Sequence, residues 1–242
     1  MEANMLEVLM NRKSVRVYED RPVEDKKKDQ IIEAAIRAAT AGNMSLYSII
    51  EIEDQEIKDK LVVSCDNQPF IATAPLALLF LVDYHKWYEV FREKDSKTRR
   101  PGHGDLLLGA CDALIAAQAA AMAAEALGLG SCYIGDILEN AEFHRDLFNL
   151  PDFTMPIVML TIGYPTEHQR NRKQPPRFKR EAMVHKDTYK KRELKTLLED
   201  LEKKDPIRGA LAQIDDIYNR KWTSDFLEEM NRSVDKWLEW WK

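Results

Sequence analysis

Apolar residues repeat at helical spacing in some segments of this chain and follow strand patterns in others, and the two kinds of segment alternate. Within residues 24–40, one stripe at helical spacing is formed by Ile31, Ile32, Ala35, Ile36 and Ala39. A stripe of this kind predicts an amphipathic helix with one buried face. Residues 48–52 alternate and are β-branched, which predicts a strand. Residues 75–83 and 156–164 are continuous apolar runs, typical of strands covered on both faces. Short helices are predicted over residues 56–65 and 141–148.

The longest predicted helix covers residues 105–127 and ends at Gly128 and Gly130. It carries ten alanines among 23 residues and is apolar almost all round, which is typical of a buried helix. Its small side chains allow another helix to approach closely, plausibly from a second copy of the chain. The helix also carries Asp112, Gln118 and Glu125, which a lipid-facing helix would avoid. No membrane span is therefore expected.

The pattern changes after residue 189. One short stripe over residues 194–201 is interrupted at Asp205–Pro206, and residues 226–241 then show clean helical periodicity with tryptophans at 237, 240 and 241. We predict two parts, a domain of residues 1–190 and a helical C-terminal extension of residues 191–242. The extension is expected to pack on the dimer. Binding to a membrane surface is the less favoured alternative, because the polar face of the extension is as acidic as it is basic.

Composition excludes several classes of partner. The chain has 242 residues, a net charge of -5 and a pI near 5.7, which argue against nucleic-acid binding. Three cysteines without a Cys-x-x-Cys pair predict neither disulfides nor structural zinc and favour a reducing cytoplasm. No apolar run follows a basic segment near the N-terminus, so no secretory signal is expected.

The most informative chemistry lies in residues 11–18, Asn-Arg-Lys-Ser-Val-Arg-Val-Tyr. Alternate side chains of an extended segment project the same way, so Arg12, Ser14 and Arg16 can converge on one anion. Two guanidiniums and a hydroxyl suit a phosphate group. A solvated basic strand is the alternative interpretation, and other segments of the chain decide against it.

Those segments are residues 41–47, 67–70, 128–135, 162–165 and 175–177. The most specific among them is Gly-Leu-Gly-Ser-Cys-Tyr-Ile-Gly at residues 128–135. Together with Arg-x-Ser-x-Arg they resemble the FMN-dependent nitroreductase family of NAD(P)H-using flavoenzymes over residues 5–190. The resemblance implies an α+β fold with a mixed, mainly antiparallel sheet flanked by helices. It also implies an intertwined homodimer with FMN at the interface.

The resemblance further implies a set of cofactor-binding residues. Arg12 and Ser14, with Arg177 from the far end of the chain, would hold the flavin phosphate, and Arg16 would reach the pyrimidine O2 region. Gln68 would contact the pyrimidine edge, and the backbone around Gly135 would approach flavin N5. The full set is Arg12, Lys13, Ser14, Arg16, Asn43, Met44, Ser45, Gln68, Tyr133, Ile134, Gly135, Asp136 and Arg177.

Some of these assignments have alternatives. Arg177 is either a phosphate ligand or a solvated member of the basic run over residues 170–180. Gly42–Asn43 can equally be a turn that ends a helix. Asp136 would either oppose an anionic substrate or cap the following helix. The aromatic residues at 87, 88 and 91 either pack a helix on the body or roof a cleft, and no lid is assigned.

The implied activity is an FMN-dependent, ping-pong oxidoreductase reaction. A hydride passes from NAD(P)H through flavin N5 to a small-molecule acceptor such as a nitroaromatic, a quinone or a flavin, with no catalytic side chain and no metal. One alternative is a reductive dehalogenase or flavin-degrading enzyme of the same family. Another is a non-enzymatic flavin-binding or interaction protein whose tryptophan-rich tail docks a partner.

Overall fold

The computed structural model describes residues 5–241 and divides into two compact units. The first comprises Met1–Arg172 and Glu229–Lys242, and the second comprises Lys173–Glu228. The predicted domain boundary after residue 190 stays a prediction.

A four-stranded antiparallel sheet forms the centre of the first unit. Its strands are β1 (Tyr47–Glu51), β2 (Leu76–Asp83), β3 (Gly130–Ile134) and β4 (Thr154–Gly163), in the order β1-β2-β4-β3. All neighbouring strands pair antiparallel, and a parallel bridge joins Ser14 to Ser131 at the β3 edge. The strands predicted from alternating and continuous apolar runs are confirmed.

The helices of the first unit are α1 (Met5–Asn11), α2 (Asp25–Ile36), α3 (Gln55–Ser64), α4 (His85–Lys94), α5 (His103–Ala126), α6 (Ala141–Leu147) and α7 (Glu167–Asn171). In the second unit lie α8 (Arg180–Met183), α9 (Leu194–Lys204) and α10 (Gly209–Ile217). The last helix, α11 (Asp225–Trp240), ends among residues of the first unit.

Helices cover both faces of the sheet. Successive side chains of a strand point to opposite faces, so each strand contributes to both hydrophobic clusters. Leu78 and Phe80 of β2 face a cluster that includes α2 and the alanines of α5. Leu79 and Leu81 face the other way, into a cluster that includes α3, α6 and the end of α11. The continuous apolar run of β2 is thus explained by burial on both sides.

Helix α5 is buried on one side only. Ala113, Ala117 and Ala120 are fully buried against the sheet and α2. Leu107 is 68% exposed, and Leu114 and Ile115 lie on the same uncovered side. By length and composition α5 could cross a membrane, yet here it is a core helix with an exposed apolar stripe. Gly128, with φ +79°, ends it, whereas Gly130 is already the first residue of β3.

The end of α11 belongs to the core of the first unit. Trp237 and Trp241 are each 1% exposed, and Trp241 Nε1 donates to the Gly102 carbonyl at 3.0 Å. Glu229 and Ser233 accept from the Asn140 and Ala141 amides at 3.0 Å, which satisfies the start of α6. The periodic tail predicted from residue 226 is therefore a helix that packs on its own chain. Its predicted packing on a second copy stays a prediction.

His144 of α6 makes folding sensitive to acid. It is fully buried, its Nε2 lies 2.8 Å from Ser64 Oγ, and burial lowers its pKa to about 4. The unfolded chain therefore binds a proton that the folded chain refuses between about pH 6.5 and 4. We expect the free energy of unfolding to fall by about 3 kcal/mol over this window because of His144. Urea titrations at a series of pH values measure it.

His144→Gln removes the titration, so the pH dependence should flatten in this window even if the variant is less stable at pH 7. His168→Gln is the matched control, because His168 is exposed. Parallel pH profiles for wild type and His144→Gln would contradict the assignment.

Candidate functional site

A pair of glycines fixes the N-terminal segment, residues 12–18, against the sheet. Gly130 of β3 and Gly163 of β4 are cross-strand partners. A Cβ on Gly130 would lie 2.5 Å from Val15 Cγ2, and one on Gly163 would lie 2.8 Å from Tyr18 Cδ1. Only glycine leaves room for these contacts. The N-terminal segment therefore lies directly on the β3 edge.

Hydrogen bonds hold this segment in register. The Val15 amide donates to the Ser131 carbonyl at 2.9 Å. Tyr18 Oη lies 2.9 Å from the Val15 carbonyl, to which it donates, and 2.9 Å from Thr161 Oγ1. The backbone that carries the predicted phosphate ligands is thus fixed before any ligand arrives.

The segment that carries Arg12, Ser14 and Arg16 lies beside Cys132 of β3, because Ser14 is bridged to Ser131. Burial raises the pKa of the Cys132 thiol. The positive charges of Arg16 and Arg12, and hydrogen bonding with Ser14 and Arg16, oppose that rise. The predicted convergence of Arg12, Ser14 and Arg16 on one anion stays a prediction.

A second group of basic residues reaches the same segment from beyond β4. Lys13 Nζ donates to the Arg170 carbonyl at 2.5 Å, and Arg172 Nη2 donates to the Ser14 carbonyl. Arg172 Nε is buried and has no hydrogen-bond partner within residues 5–241, which leaves a donor for a group outside the chain. Arg172 was not among the predicted residues. The basic run over residues 170–180 was its only signal.

Polar side chains of intermediate or high exposure lie on β3 and α5 near this segment. Tyr133 Oη donates to Gln118 Oε1 at 2.9 Å, and burial raises the pKa of Tyr133 to about 12. Burial also raises the pKa of Glu125 to about 7, against the lowering effect of Arg12 and Lys13. Around neutral pH, therefore, Glu125 only partly offsets the positive charge of this edge.

Gly135 follows β3 and faces open space. A Cβ built on it would meet nothing within 4 Å. Beside it, Gln68 Nε2 donates to Asp136 Oδ2 at 2.6 Å and to the Cys65 carbonyl at 3.0 Å. Gln68, Gly135 and Asp136 therefore lie together at one end of β3. The Asp136 carboxylate accepts from the Gln68 amide, and Asp136 is itself the first residue of the short turn Asp136–Leu138.

Three carboxylates gather at this end of β3. Oxygen atoms of Asp66, Asp136 and Glu139 lie within 4.8 Å of one another. An acidic group of this kind is common in proteins without a metal ion. The expectation of a metal-free site stays a prediction.

The predicted loop of Asn43, Met44 and Ser45 is held by a buried carboxylate of α5. Asp112, 2% exposed, accepts from the Ala41 amide at 3.0 Å and the Leu46 amide at 3.2 Å. It also accepts from the Thr40 hydroxyl. Asp112 was missed as a site-positioning residue, although an acid on a helix that is apolar almost all round signals a paired group.

Helix α4 supports the same loop from outside. Trp87 Nε1 donates to the Met44 carbonyl at 2.7 Å, and Trp87 packs partly buried against the core. Asn43 and Ser45 have φ values of +56° and +50°, so the loop backbone is tightly bent. The aromatic residues of α4 thus pack a helix on the body, the first of the two interpretations.

The loop and the N-terminal segment lie on opposite edges of the sheet. The loop leads into β1, Ser14 is bridged to β3, and two strands separate β1 from β3. Three strand spacings correspond to about 14 Å. One chain does not bring both predicted sets to the same place.

Arg177 belongs to the second unit, where its Nη1 donates to the Pro175 carbonyl at 3.5 Å. The predicted meeting of Arg12 and Arg177 at one phosphate stays a prediction.

The described residues form an α+β fold in which the basic N-terminal segment lies on the β3 edge, and the backbone at Gly135 is open. A sequence model of the Nitroreductase family matches residues 9–164. The chain belongs to the nitroreductase family.

Individual relatives agree with this membership. The FMN reductase [NAD(P)H] of Bacillus subtilis (strain 168) is 34% identical over 187 residues, which cover 76% of this chain and 74% of the relative. The CR(VI) reductase of Pseudomonas sp. (strain G-1) is 31% identical over 233 residues and 93% of both chains. The solved structure of NfrA2 from B. megaterium is similar with a TM-score of 0.77 and 28% identity, covering 95% of this chain and 96% of that one. The predicted family and α+β fold are confirmed.

The glycine pair predicts the effect of one added methyl group. In Gly130→Ala the new Cβ meets Val15, whose Cγ2 lies 2.5 Å away. We expect the free energy of unfolding to fall by about 1–3 kcal/mol, since overpacking costs that much. We also expect weaker anion binding at Arg12 and Arg16, because their backbone must shift. Chemical denaturation and FMN titration measure the two effects.

Gly104→Ala is the matched control. Gly104 lies in α5, and its Cβ would meet nothing within 4 Å, so this change should leave FMN binding unaltered. It should alter stability by no more than about 1 kcal/mol, in the stabilising direction. Equal behaviour of the two variants would show that the contact with Val15 does not position the segment.

Proposed function

We propose that the protein is an FMN-dependent oxidoreductase, a flavoprotein that uses NAD(P)H as co-substrate. The observation that carries the proposal is that the segment of Arg12, Ser14 and Arg16 is bonded to β3, which leads directly into the open backbone at Gly135. The relatives' names, FMN reductase [NAD(P)H] among them, support the same cofactor and co-substrate. When bound, FMN supplies hydride chemistry at N5, from NAD(P)H to an acceptor in ping-pong order.

Different residues would bind the phosphate and the ring of FMN. Arg12 and Ser14, with Lys13 nearby, would hold the phosphate through charge-assisted hydrogen bonds. Arg172 is added to this group because its Nε is buried without a partner among the described residues. Arg177 keeps its predicted place as a further phosphate ligand.

The ring would lie along the end of β3. Tyr133 and Ile134 fix the strand, and Gly135 leaves the backbone uncovered on one side, so a peptide N–H can approach N5. Arg16 would balance negative charge at the pyrimidine O2 region. Gln68 would contact the pyrimidine edge through its amide oxygen, since its amide nitrogen already donates to Asp136.

The acceptor is a small molecule. The acceptor would be a nitroaromatic, a quinone or a free flavin. It would occupy the same open space beside Gly135 that NAD(P)H occupies before it. Reductive dehalogenation, flavin breakdown and non-enzymatic flavin binding are the competing functions. They differ from the proposal in whether NAD(P)H bleaches the flavin and in what reoxidises it.

The functional form would be a homodimer. The loop of residues 43–45 and the N-terminal segment lie on opposite edges of one sheet, and a second subunit that contributes one of the two sets would bring both to one FMN. Exposed apolar residues support an interface between copies: Leu107, Leu114 and Ile115 on α5, with Leu9 and Met10 on α1. Such a patch on a polar surface is typical of an interaction site.

We place the protein in the cytoplasm, without a nucleic-acid or membrane partner. Cys65, Cys111 and Cys132 are all free, as expected in a reducing compartment. The net charge of -5 disfavours binding to polyanions.

A spectroscopic experiment tests the function. Protein purified with FMN should be yellow, and NADPH or NADH added without oxygen should bleach the visible absorbance of the oxidised flavin. A nitroaromatic or quinone should then restore the colour. Flavin that stays oxidised with both nucleotides would favour a binding protein, and protein that retains no FMN would overturn the proposal.

Disrupting the α5 stripe tests the two-subunit site. Ile115→Asp places a charge on the proposed interface, so we expect monomers in sedimentation velocity and a loss of FMN binding of at least tenfold. Val63→Asp is the matched control, because Val63 is 69% exposed on α3, and should change neither property. A monomeric Ile115→Asp that binds FMN like wild type would contradict a shared site.

A further inference from the structure

A second basic hollow lies away from the candidate flavin site. It has a volume of about 600 Å³ and is formed by α4, the residues before α5, the end of α6 and the start of β4. Arg92, Arg100 and Arg145 line it, together with the aromatic rings of Tyr88 and Phe153. None of these residues belongs to the predicted cofactor-binding set.

Aromatic rings hold the three guanidiniums in place. Arg92 lies 5.7 Å from the centre of the Tyr88 ring, and Arg100 lies 5.2 Å from the centre of the Phe153 ring. Arg145 lies 4.5 Å from the Trp240 ring. A guanidinium placed over a ring is restrained by its face, while its N–H groups point outward in its plane. The donors are therefore partly organised before a ligand binds.

The hollow has more positive than negative groups. Glu89 pairs with Arg92 at 3.3 Å, and Asp152 pairs with Arg145 at 2.6 Å. Arg100 has no carboxylate within 4.0 Å in the part of the chain from residue 5 to residue 241. One guanidinium is left without a carboxylate partner among the described residues, and His85 also lines the hollow. This local excess contrasts with the net charge of -5 of the whole chain.

We propose that this basic hollow binds the phosphate group of a small ligand of mononucleotide size. Arg100 would provide the uncompensated charge, and Arg92 and Arg145 would provide the flanking donors. Guanidinium forks match phosphate oxygens in pairs, and a volume of about 600 Å³ is within the usual range for small-molecule pockets. The site is independent of the proposed flavin site, because it shares no residue with it.

Isothermal titration of the full chain saturated with FMN tests the proposal. The probes are adenosine 5′-monophosphate, inorganic phosphate and adenosine. We expect the monophosphate to bind and adenosine not to bind. Arg100→Gln should weaken binding at least tenfold, and Arg145→Gln should weaken it as well. Arg37→Gln, on an exposed arginine after α2, is the matched control and should bind like wild type.

Comparing the two phosphate-containing probes shows whether the ligand is a nucleotide or free phosphate. Tighter binding of the nucleotide than of inorganic phosphate identifies a nucleotide ligand, and equal binding identifies free phosphate. Both results support a phosphate site. Absence of binding, or binding unchanged in Arg100→Gln, overturns the proposal.

The same titration in Arg12→Ala separates this site from the flavin site. Binding lost in Arg12→Ala and kept in Arg100→Gln would place the anion at the N-terminal segment, and the basic hollow would then be rejected. If the protein retains no FMN, the proposed function fails, but the comparison of Arg100→Gln with Arg37→Gln still decides the present proposal.

Discussion

The contact between the N-terminal segment and the paired glycines is the constraint on which the candidate site depends. Gly130 and Gly163 face each other across β3 and β4 and make room for Val15 and Tyr18. Because the backbone of this segment is fixed by the sheet, Arg12 and Arg16 lose little backbone freedom when an anion binds. A flexible basic tail would have to lose that freedom on binding, which weakens affinity.

Helix α5 connects this edge to the rest of the fold through its polar residues. Asp112 holds the loop that enters β1, while Gln118 receives the Tyr133 hydroxyl beside β3. The alanines between them keep the helix close to the sheet, so these polar groups are carried on a rigid element. Positions on a packed helix hold site residues more accurately than positions on loops. Two polar side chains of α5, Asp112 and Gln118, are therefore enough to hold groups at both edges of the sheet.

Much of the fold could be predicted from the sequence, because burial leaves a periodic record. The apolar run of β2, the alanine-rich α5 and the periodic tail after residue 226 each became the predicted element. A local pattern can mark candidate site residues only where neighbours act together, as predicted for Arg12, Ser14 and Arg16. Arg172 and Asp112 act on segments far from them in sequence, and no local pattern records such pairings. Similarly, the helical period of the tail predicts that Trp237 is buried, but it does not predict which surface of the protein covers Trp237.

The distance between the loop of residues 43–45 and the N-terminal segment bears on how the protein assembles as well as on the site. The loop residues 43–45 and Ser14 lie on opposite edges of one sheet, about 14 Å or more apart. In a twofold symmetric dimer the same patch of both copies forms the interface, so contributions exchange reciprocally. The exposed stripe of α5 runs between the helix positions that hold the two sets, since Leu114 and Ile115 lie between Asp112 and Gln118. A second copy packed on that stripe would therefore approach both edges at once, which makes the apolar patch and the divided site two aspects of one proposed interface.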